Sequence, residues 1–209
     1  MPPASLTSLT PKIARRKVVA VRKSANVWSK KTKPNFHITV VGAVSAAGAT
    51  VPPLIIASGM RFFKEDIAAL AIEGAAITEA PKVFSNSKIF LQWLAFFGEN
   101  IAHLPNPVVV IVDNSATHIS EEADEICVEY GIMLVAPPAN ATHLFQPLDV
   151  ALFKPCKGCI HDLTLDRLCS ISDPVIRKTT TIEMSCTVYR RALVDKSTSS
   201  VNGFRECGV

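Results

Sequence analysis

The chain has 209 residues, 48% of them hydrophobic, 19% charged, and a formal net charge of +4. That composition builds a core and excludes a disordered chain, and the length suits one domain with appendages. The apolar stretch Val40–Ala57 is broken by Ser45, Gly48, Thr50 and the Pro52-Pro53 pair, so nothing approaches the roughly 18 consecutive apolar residues of a membrane-spanning helix.

The charge is unevenly distributed. Eleven basic residues (Lys12, Arg15, Arg16, Lys17, Arg22, Lys23, Lys30, Lys31, Lys33, Arg61 and Lys64) precede the first acidic residue, Glu65. A basic end of this kind points to an anionic partner, a nucleic acid or a membrane surface. It also means that no carboxylate chemistry originates before Glu65. Met1–Lys17 lacks the apolar centre of a secretory signal, and Pro2, Pro3 and Pro11 oppose the amphipathic helix of an organellar leader. The six cysteines are therefore expected as reduced thiols. Cys156 and Cys159 have CxxC spacing, but no second pair completes a zinc site.

Met1–Lys12 reads as turn-like and frayed. Val18–Arg22 is a β-branched run flanked by charge, an edge-strand candidate, and Lys30–Pro34 is a basic loop. Phe36–Ala46 predicts a buried strand, Gly48 a turn, and Val51–Ala57 a second strand entered through Pro52-Pro53, as on a hairpin edge. Ser87–Leu104 predicts an amphipathic helix, with Ile89, Phe90, Trp93, Leu94, Phe97 and Ile101 on one face behind a Ser N-cap, ended by Pro107. Val108–Val112 is uniformly β-branched and suits a central strand buried on both faces. Ser120–Tyr130 predicts an acidic helix closed by Gly131, Ile132–Ala136 a strand, and Leu148–Leu168 a helix; Asp195–Val209 is a polar tail. The order of elements predicts a mixed α/β sheet with helices on both faces, whose ligands sit at the carboxyl ends of parallel strands.

Two segments carry chemistry. In Val108–His118, Asp113 directly follows a buried strand. In Pro137–Val150, Asp149 opens a helix after a loop, where the helix N-terminus favours a carboxylate. Thirty-five residues separate the two acids, room for one helix, one strand and one loop, so the chain can return and bring them together. Paired carboxylates bind Mg²⁺ or Mn²⁺ through oxygen, and two such ions cleave phosphodiesters. The spacing alone reads as readily, and before any resemblance better, as two caps, Asp113 on a turn and Asp149 on a helix. The carboxylates of the 120–130 helix (Glu121, Glu122, Asp124, Glu125 and Glu129) are expected to form a solvated face rather than a metal site.

The two segments together read Asp-Asn-x-x-x-His after a β-branched strand, then Pro-Pro-x-x-x-x-His-x-x-Gln-Pro-Leu-Asp-Val. This resembles the DDE catalytic domain of pogo/Tigger/jerky-type transposases. The resemblance extends to His37–Ile56, to Phe153-Lys154-Pro155 and to the C-terminal Gly203-Phe204-Arg205-x-x-Gly208. It implies an RNase H-like fold, DNA as partner, a nuclear location, and Mg²⁺- or Mn²⁺-dependent strand cleavage, with no membrane and no small-molecule cofactor. By motif, Asp113 would be the second catalytic acid and metal ligand and Asp149 the third. His118 and His143 would orient the acids or contact the metal's water shell, or be satisfied loop histidines. Gln146 would bond near the site or cap the following helix.

The family's first acid sits at the end of its first, central strand, upstream of a Lys-Val-Val-Ala stretch matched here by Lys17–Ala20. No acid stands there, so the expectation is a sheet lacking its first central strand and a chain that cannot cleave DNA. The organisation expected is a basic arm over 1–35, a truncated DDE domain over 36–168 and a helical tail over 169–209. Arg15, Arg16, Lys17, Lys30, Lys31 and Lys33 of the arm are the candidate phosphate contacts, with Trp28 or Phe36 stacking on bases.

Overall fold

The computed structural model describes residues 4–9, 38–58, 61–80, 87–113, 120–138, 141–170 and 176–208. The candidate strand Val18–Arg22, the loop Lys30–Pro34 and the six candidate phosphate contacts of the arm lie outside those residues.

Six strands form one sheet: β1 (Ala4–Leu9), β2 (Ile38–Ser45), β3 (Thr50–Ser58), β4 (Ala76–Ala80), β5 (Val108–Ile111) and β6 (Ile132–Val135), in the order β4-β3-β2-β1-β5-β6. β1, β2 and β3 are antiparallel to their neighbours in that series, while the pairs β3–β4, β1–β5 and β5–β6 are parallel. The helices are α1 (Lys64–Ala68), α2 (Ser87–Ile101), α3 (Glu121–Tyr130), α4 (Thr142–Phe145), α5 (Phe153–Ser170), α6 (Lys178–Tyr189) and α7 (Ser197–Cys207). Two π-helical turns, Leu148–Leu152 and Arg190–Val194, precede α5 and follow α6.

Side-chain alternation along the strands divides the interior into two cores. On one face, Val41, Ala43, Leu54, Ile56, Val108, Val110 and Val112 meet the apolar stripe of α2 and the inner side of α3. Trp93 anchors this layer, stacked between Phe90 and Phe97 at centroid distances of 6.0 and 5.1 Å. On the other face, Val40, Val44, Ile55, Ala57 and Ile111 meet Leu148, Leu152, Phe153, Ile182, Tyr189 and Phe204 from the C-terminal helices. Each fully buried side chain of this size contributes about 1.5–3 kcal/mol of hydrophobic stabilisation, so both layers are needed to hold the sheet.

The N-terminus corrects one expectation. The first central position of the sheet is filled, because Ala4–Leu9 forms β1, pairing antiparallel with β2 and parallel with β5. Pro2, Pro3 and the serines made this stretch read as a turn. Yet β2 and β5 are buried strands, and leaving their facing backbone groups unpaired costs more than extending six uncharged residues between them. The prolines of β3 correct another. That strand is flanked by β2 and β4 and is no edge. Its ladder with β4 begins at Leu54, beyond the prolines, and the β2 register shifts between Val41 and Ala43, opposite them. A bulge therefore absorbs the two missing N–H donors. Gly42 lies in that bulge against the Tyr189 ring, where a Cβ would come within 2.5 Å of a ring carbon. The Tyr189 hydroxyl donates to the Val51 carbonyl at 2.5 Å, tying α6 to the bulged strands.

Helices α2 and α3 and strands β2, β3, β5 and β6 stand close to where periodicity places them. The short elements α1 and β4 were missed. The C-terminal segment, expected as a helical tail, carries α7 with buried Ser200, Gly203, Phe204 and Cys207.

Candidate functional site

Asp113 is positioned by β5. Val108, Val110 and Val112 belong to the α2 core, whereas Ile111 belongs to the opposite core. Period-two alternation puts Asp113 in step with Ile111, on the side of the C-terminal helices. The Val112 N–H donates to the Val135 carbonyl at 3.0 Å, which holds the backbone extended up to the acid. Asp113 itself is exposed at the strand's carboxyl end.

Asp149 is the second residue of the π-turn Leu148–Leu152. The shape of that turn follows from Pro155. A proline within a helix has no N–H for the carbonyl four residues back, and its ring crowds that carbonyl, here Ala151. The chain widens just ahead of it, and the Phe153 N–H reaches back five residues to the Leu148 carbonyl. Leu148 and Leu152 are buried and pin the turn to the core, leaving Asp149 exposed. Buried Gln146 starts the turn through its carbonyl, which accepts from the Asp149 N–H at 3.0 Å and the Val150 N–H at 3.2 Å.

The two acids meet electrostatically. Partial desolvation raises the Asp149 carboxyl above its ordinary pKa, the Asp113 charge raises it further, and Lys157 works in the opposite direction. The expected favourable effect of the helix N-terminus is therefore overridden by burial and by the like charge. Lys157, two turns on, lies over the Phe153 ring at 5.7 Å and supplies the local countercharge. It was missed in the sequence, where only the Asp-to-Lys spacing along one helix signals it.

Helix α7 packs against the same turn. At Gly203 a Cβ would lie 2.9 Å from the Pro147 carbonyl oxygen and 3.0 Å from the Ala151 Cβ, so the contact requires a glycine. The C-terminal Gly-Phe-Arg segment thus braces Asp149, with Phe204 buried behind it.

β1 also borders the site. Ser5 pairs with Ile111, and continuing that parallel register brings Thr7 level with Asp113. β1 carries no acidic residue. Two carboxylates close enough to feel each other's charge are hard oxygen donors suited to Mg²⁺ or Mn²⁺. Among the described residues no cluster of three or more His, Cys, Asp or Glu assembles to hold a metal. The donors described fit one cation completed by water and do not fit two.

His118 lies outside the described residues, and His143 falls in α4 with its side chain outside them. Glu121, Glu122, Asp124, Glu125 and Glu129 form the exposed side of α3, whose inner residues Ala123 and Cys127 pack into the α2 core. That places them across the sheet from Asp113 and Asp149, as a solvated face capped by Ser120, which accepts from the Ala123 N–H at 3.2 Å. Cys156 and Cys159 are free thiols, and burial pushes the Cys156 thiol up to about 12, which makes it inert as a nucleophile.

In fold, the chain is similar to solved structures of the Mos1 transposase. Against the Mos1 strand transfer complex the TM-score is 0.56 at 10% identity, covering 98% of this chain and 50% of that one. Against the Mos1 mariner paired-end complex with Mn it is 0.55 at 10% identity, covering 98% and 52%. The chain thus spans about half the length of those transposases. The mixed sheet with flanking helices is that of their RNase H-like catalytic domains. A curated protein of Cochliobolus lunatus, described as the MFS-type transporter clz9, is 27% identical over 129 residues, covering 57% of this chain and 13% of that protein. Among the described residues no helix is long and apolar enough to cross a membrane. Residues 37–197, which include β2 through the second π-turn and both acids, match the family model of the DDE superfamily endonucleases. The chain belongs to that family.

Proposed function

We propose that this chain is a DNA-binding, transposase-derived domain that holds DNA without cutting it. The supporting observation is the Asp113–Asp149 pair set beside a central strand, β1, that has no carboxylate to add. Asp113 and Asp149 stand as the second and third acids of the DDE constellation, and at the level where a third donor would complete it the chain has Thr7. Two carboxylates leave two dications short of ligands and of charge neutralisation. The Gln146-Pro147-Leu148-Asp149 block supports reading the chain as a member of the pogo/Tigger/jerky branch. The basic residues Arg15, Arg16, Lys17, Lys30, Lys31 and Lys33 supply phosphate contacts, and a DNA partner implies a nuclear location, which imaging of a tagged chain would check.

Incubation with Mn²⁺ and supercoiled plasmid is expected to give no nicking. Nicking that disappears in Asp113→Ala would overturn the inactive assignment. Affinity for duplex DNA is expected to fall steeply with salt, as it does when cationic side chains displace counterions from phosphates; a flat response would remove the DNA-binding reading. The second reading, a protein-interaction module, draws on the exposed acidic side of α3, and salt-independent behaviour on DNA would favour it.

A further inference from the structure

The sheet ends in two edge strands that run the same way. β4 and β6 close the strand order at its two ends. β4 is parallel to β3, β6 is parallel to β5 and through it to β1, and β1 and β3 are both antiparallel to β2. β4 and β6 therefore share one direction. Edge strands are ordinarily blunted by charge or by proline. β6 reads Ile-Met-Leu-Val and carries neither, and β4 carries a single charge, Glu79.

The face opposite α2 is unevenly covered at these two ends. On β6, Ile132 and Leu134 turn into the α2 core. Alternation puts Met133 and Val135 on the other face, where they are 52% and 42% exposed. Their partners on β5 are Val109 and Ile111, and the second core reaches Ile111. That core thus stops one strand short of the β6 edge. At the opposite end of the same face, α6 packs on β2 and β3, and α1 packs against α6. Among the described helices α1 is therefore the one at the β4 end. Phe62 joins the second core, whereas Phe63 and Ile67, one helical turn apart, are 61% and 56% exposed.

Charge separates the two ends as well. At the carboxyl end of β3 stand Arg61 and Lys64, joined by Arg177, whose neighbour Lys178 donates to the Arg61 carbonyl; these exposed cations outnumber the exposed Glu65 and Glu79. The carboxyl ends of β5 and β6 have Asp113, with Glu121 and Glu122 where α3 begins, and no Lys or Arg occurs between Lys88 and Lys154. Two copies meeting β6 to β6 across a two-fold would set the acidic sides of two α3 helices together. A copy added head to tail sets the cationic end against the acidic one.

We infer that the chain associates with a second copy head to tail: the β4 edge of one copy extends the sheet in parallel at the β6 edge of the next, and Phe63 and Ile67 cover Met133 and Val135. Strand direction, the shared face of the four apolar side chains and the charges at the carboxyl ends all agree with this arrangement. The contact uses a different surface on each copy, so every addition leaves a free edge of each kind. The inference is independent of the DNA-binding reading.

Sedimentation of the full chain without DNA, at about 1 to 100 μM, is expected to show growth past the dimer as concentration rises. Met133→Lys and Phe63→Lys each block one edge, and each should be monomeric. Mixed in equal amounts, the two variants should form a dimer and nothing larger, because one productive pair of edges remains between them. Both positions are exposed, so unchanged thermal melts are expected; Val135→Lys and Ile67→Lys serve as the second pair if either melt moves. A wild type that stays monomeric throughout would overturn the inference, as would a mixture of the two variants that stays monomeric. Phe63→Lys that still dimerises would show β6 meeting β6 and would overturn it too. Association that needs added duplex DNA would mean bridging by DNA, and the edge contact would be rejected.

Discussion

Gly203 lies against the main-chain carbonyl of Pro147, so closely that a Cβ would stand 2.9 Å from the oxygen. The neighbour is backbone and cannot rotate away. Gly203→Val is therefore expected to push α7 off the π-turn, at a cost of about 1–3 kcal/mol from overpacking. Thermal unfolding would register the loss, and the carboxyl titration of Asp149 would shift with it because its turn is displaced. A variant as stable as the wild type with Asp149 unmoved would mean that α7 does not brace the acid.

Asp149 has a raised pKa from partial burial and from Asp113. The sign of the linkage follows. A carboxyl whose folded pKa lies above its ordinary 3.8 favours the folded state when protonated, and that contribution is lost as the pH rises through the folded value. Asp113→Asn removes the like charge, so the Asp149 titration followed by carboxyl NMR should move down toward the ordinary value. An Asp149 titration indifferent to Asp113→Asn would show that the two acids are not coupled.

A second charged group is buried far from the acid pair in sequence. The Lys178 Nζ lies 2.5 Å from a carboxylate oxygen of Asp66, donates to the Arg61 carbonyl at 2.5 Å, and sits over the rings of Phe62 and Phe63. Burial raises the Asp66 carboxyl, but the hydrogen bonds from Lys178 and from the Phe63 N–H outweigh it and hold the pKa below 3.8. The stability this contributes is present above about pH 4 and is lost as the pH falls through the folded pKa. Lys178→Met leaves a buried unpaired carboxylate and should cost about 3–5 kcal/mol. At about 2–4 °C per kcal/mol for a chain of this size, the melting temperature should fall by about 10 °C. Adding Asp66→Asn should recover much of the loss, and no recovery would argue against the ion pair as the cause.

The parallel register of β1 on β5, continued two residues past the Ser5–Ile111 pair, would bring Thr7 level with Asp113. Thr7→Asp is expected to add the third carboxylate and raise Mn²⁺ affinity by about tenfold or more, equivalent to about 1.4 kcal/mol, measured by calorimetry at neutral pH. Asp149→Ala in the same background should abolish the gain. An unchanged affinity in Thr7→Asp would show that β1 does not complete this site.

Several features were legible from local pattern alone. The α2 stripe from Ile89 to Ile101, the β-branched run Val108–Val112 and the Ser120-to-Gly131 frame of α3 each carry a periodicity or a cap that one segment satisfies by itself. The two acids were legible as well, because each is attached to such a segment and the Gln-Pro-Leu-Asp motif ties them together.

Other features depend on distant partners. Ala4–Leu9 has the composition of a turn, and it is a strand because β2 and β5 need something between them. Pro52-Pro53 reads as an edge, and it stands inside the sheet because a bulge at Val41–Ala43 takes up the missing donors. The C-terminal Ser197–Cys207 carries one inward face, Ser200, Gly203, Phe204 and Cys207, and it braces the π-turn because Gly203 lets it reach Pro147. The amino-acid sequence by itself determined which carboxylates are available and that none precedes Glu65. Tertiary structure alone decided that Asp113 and Asp149 interact and that Ala4–Leu9 runs between β2 and β5. Charge identity is a property of single residues, whereas desolvation, like-charge repulsion and strand register arise only between segments that folding brings together.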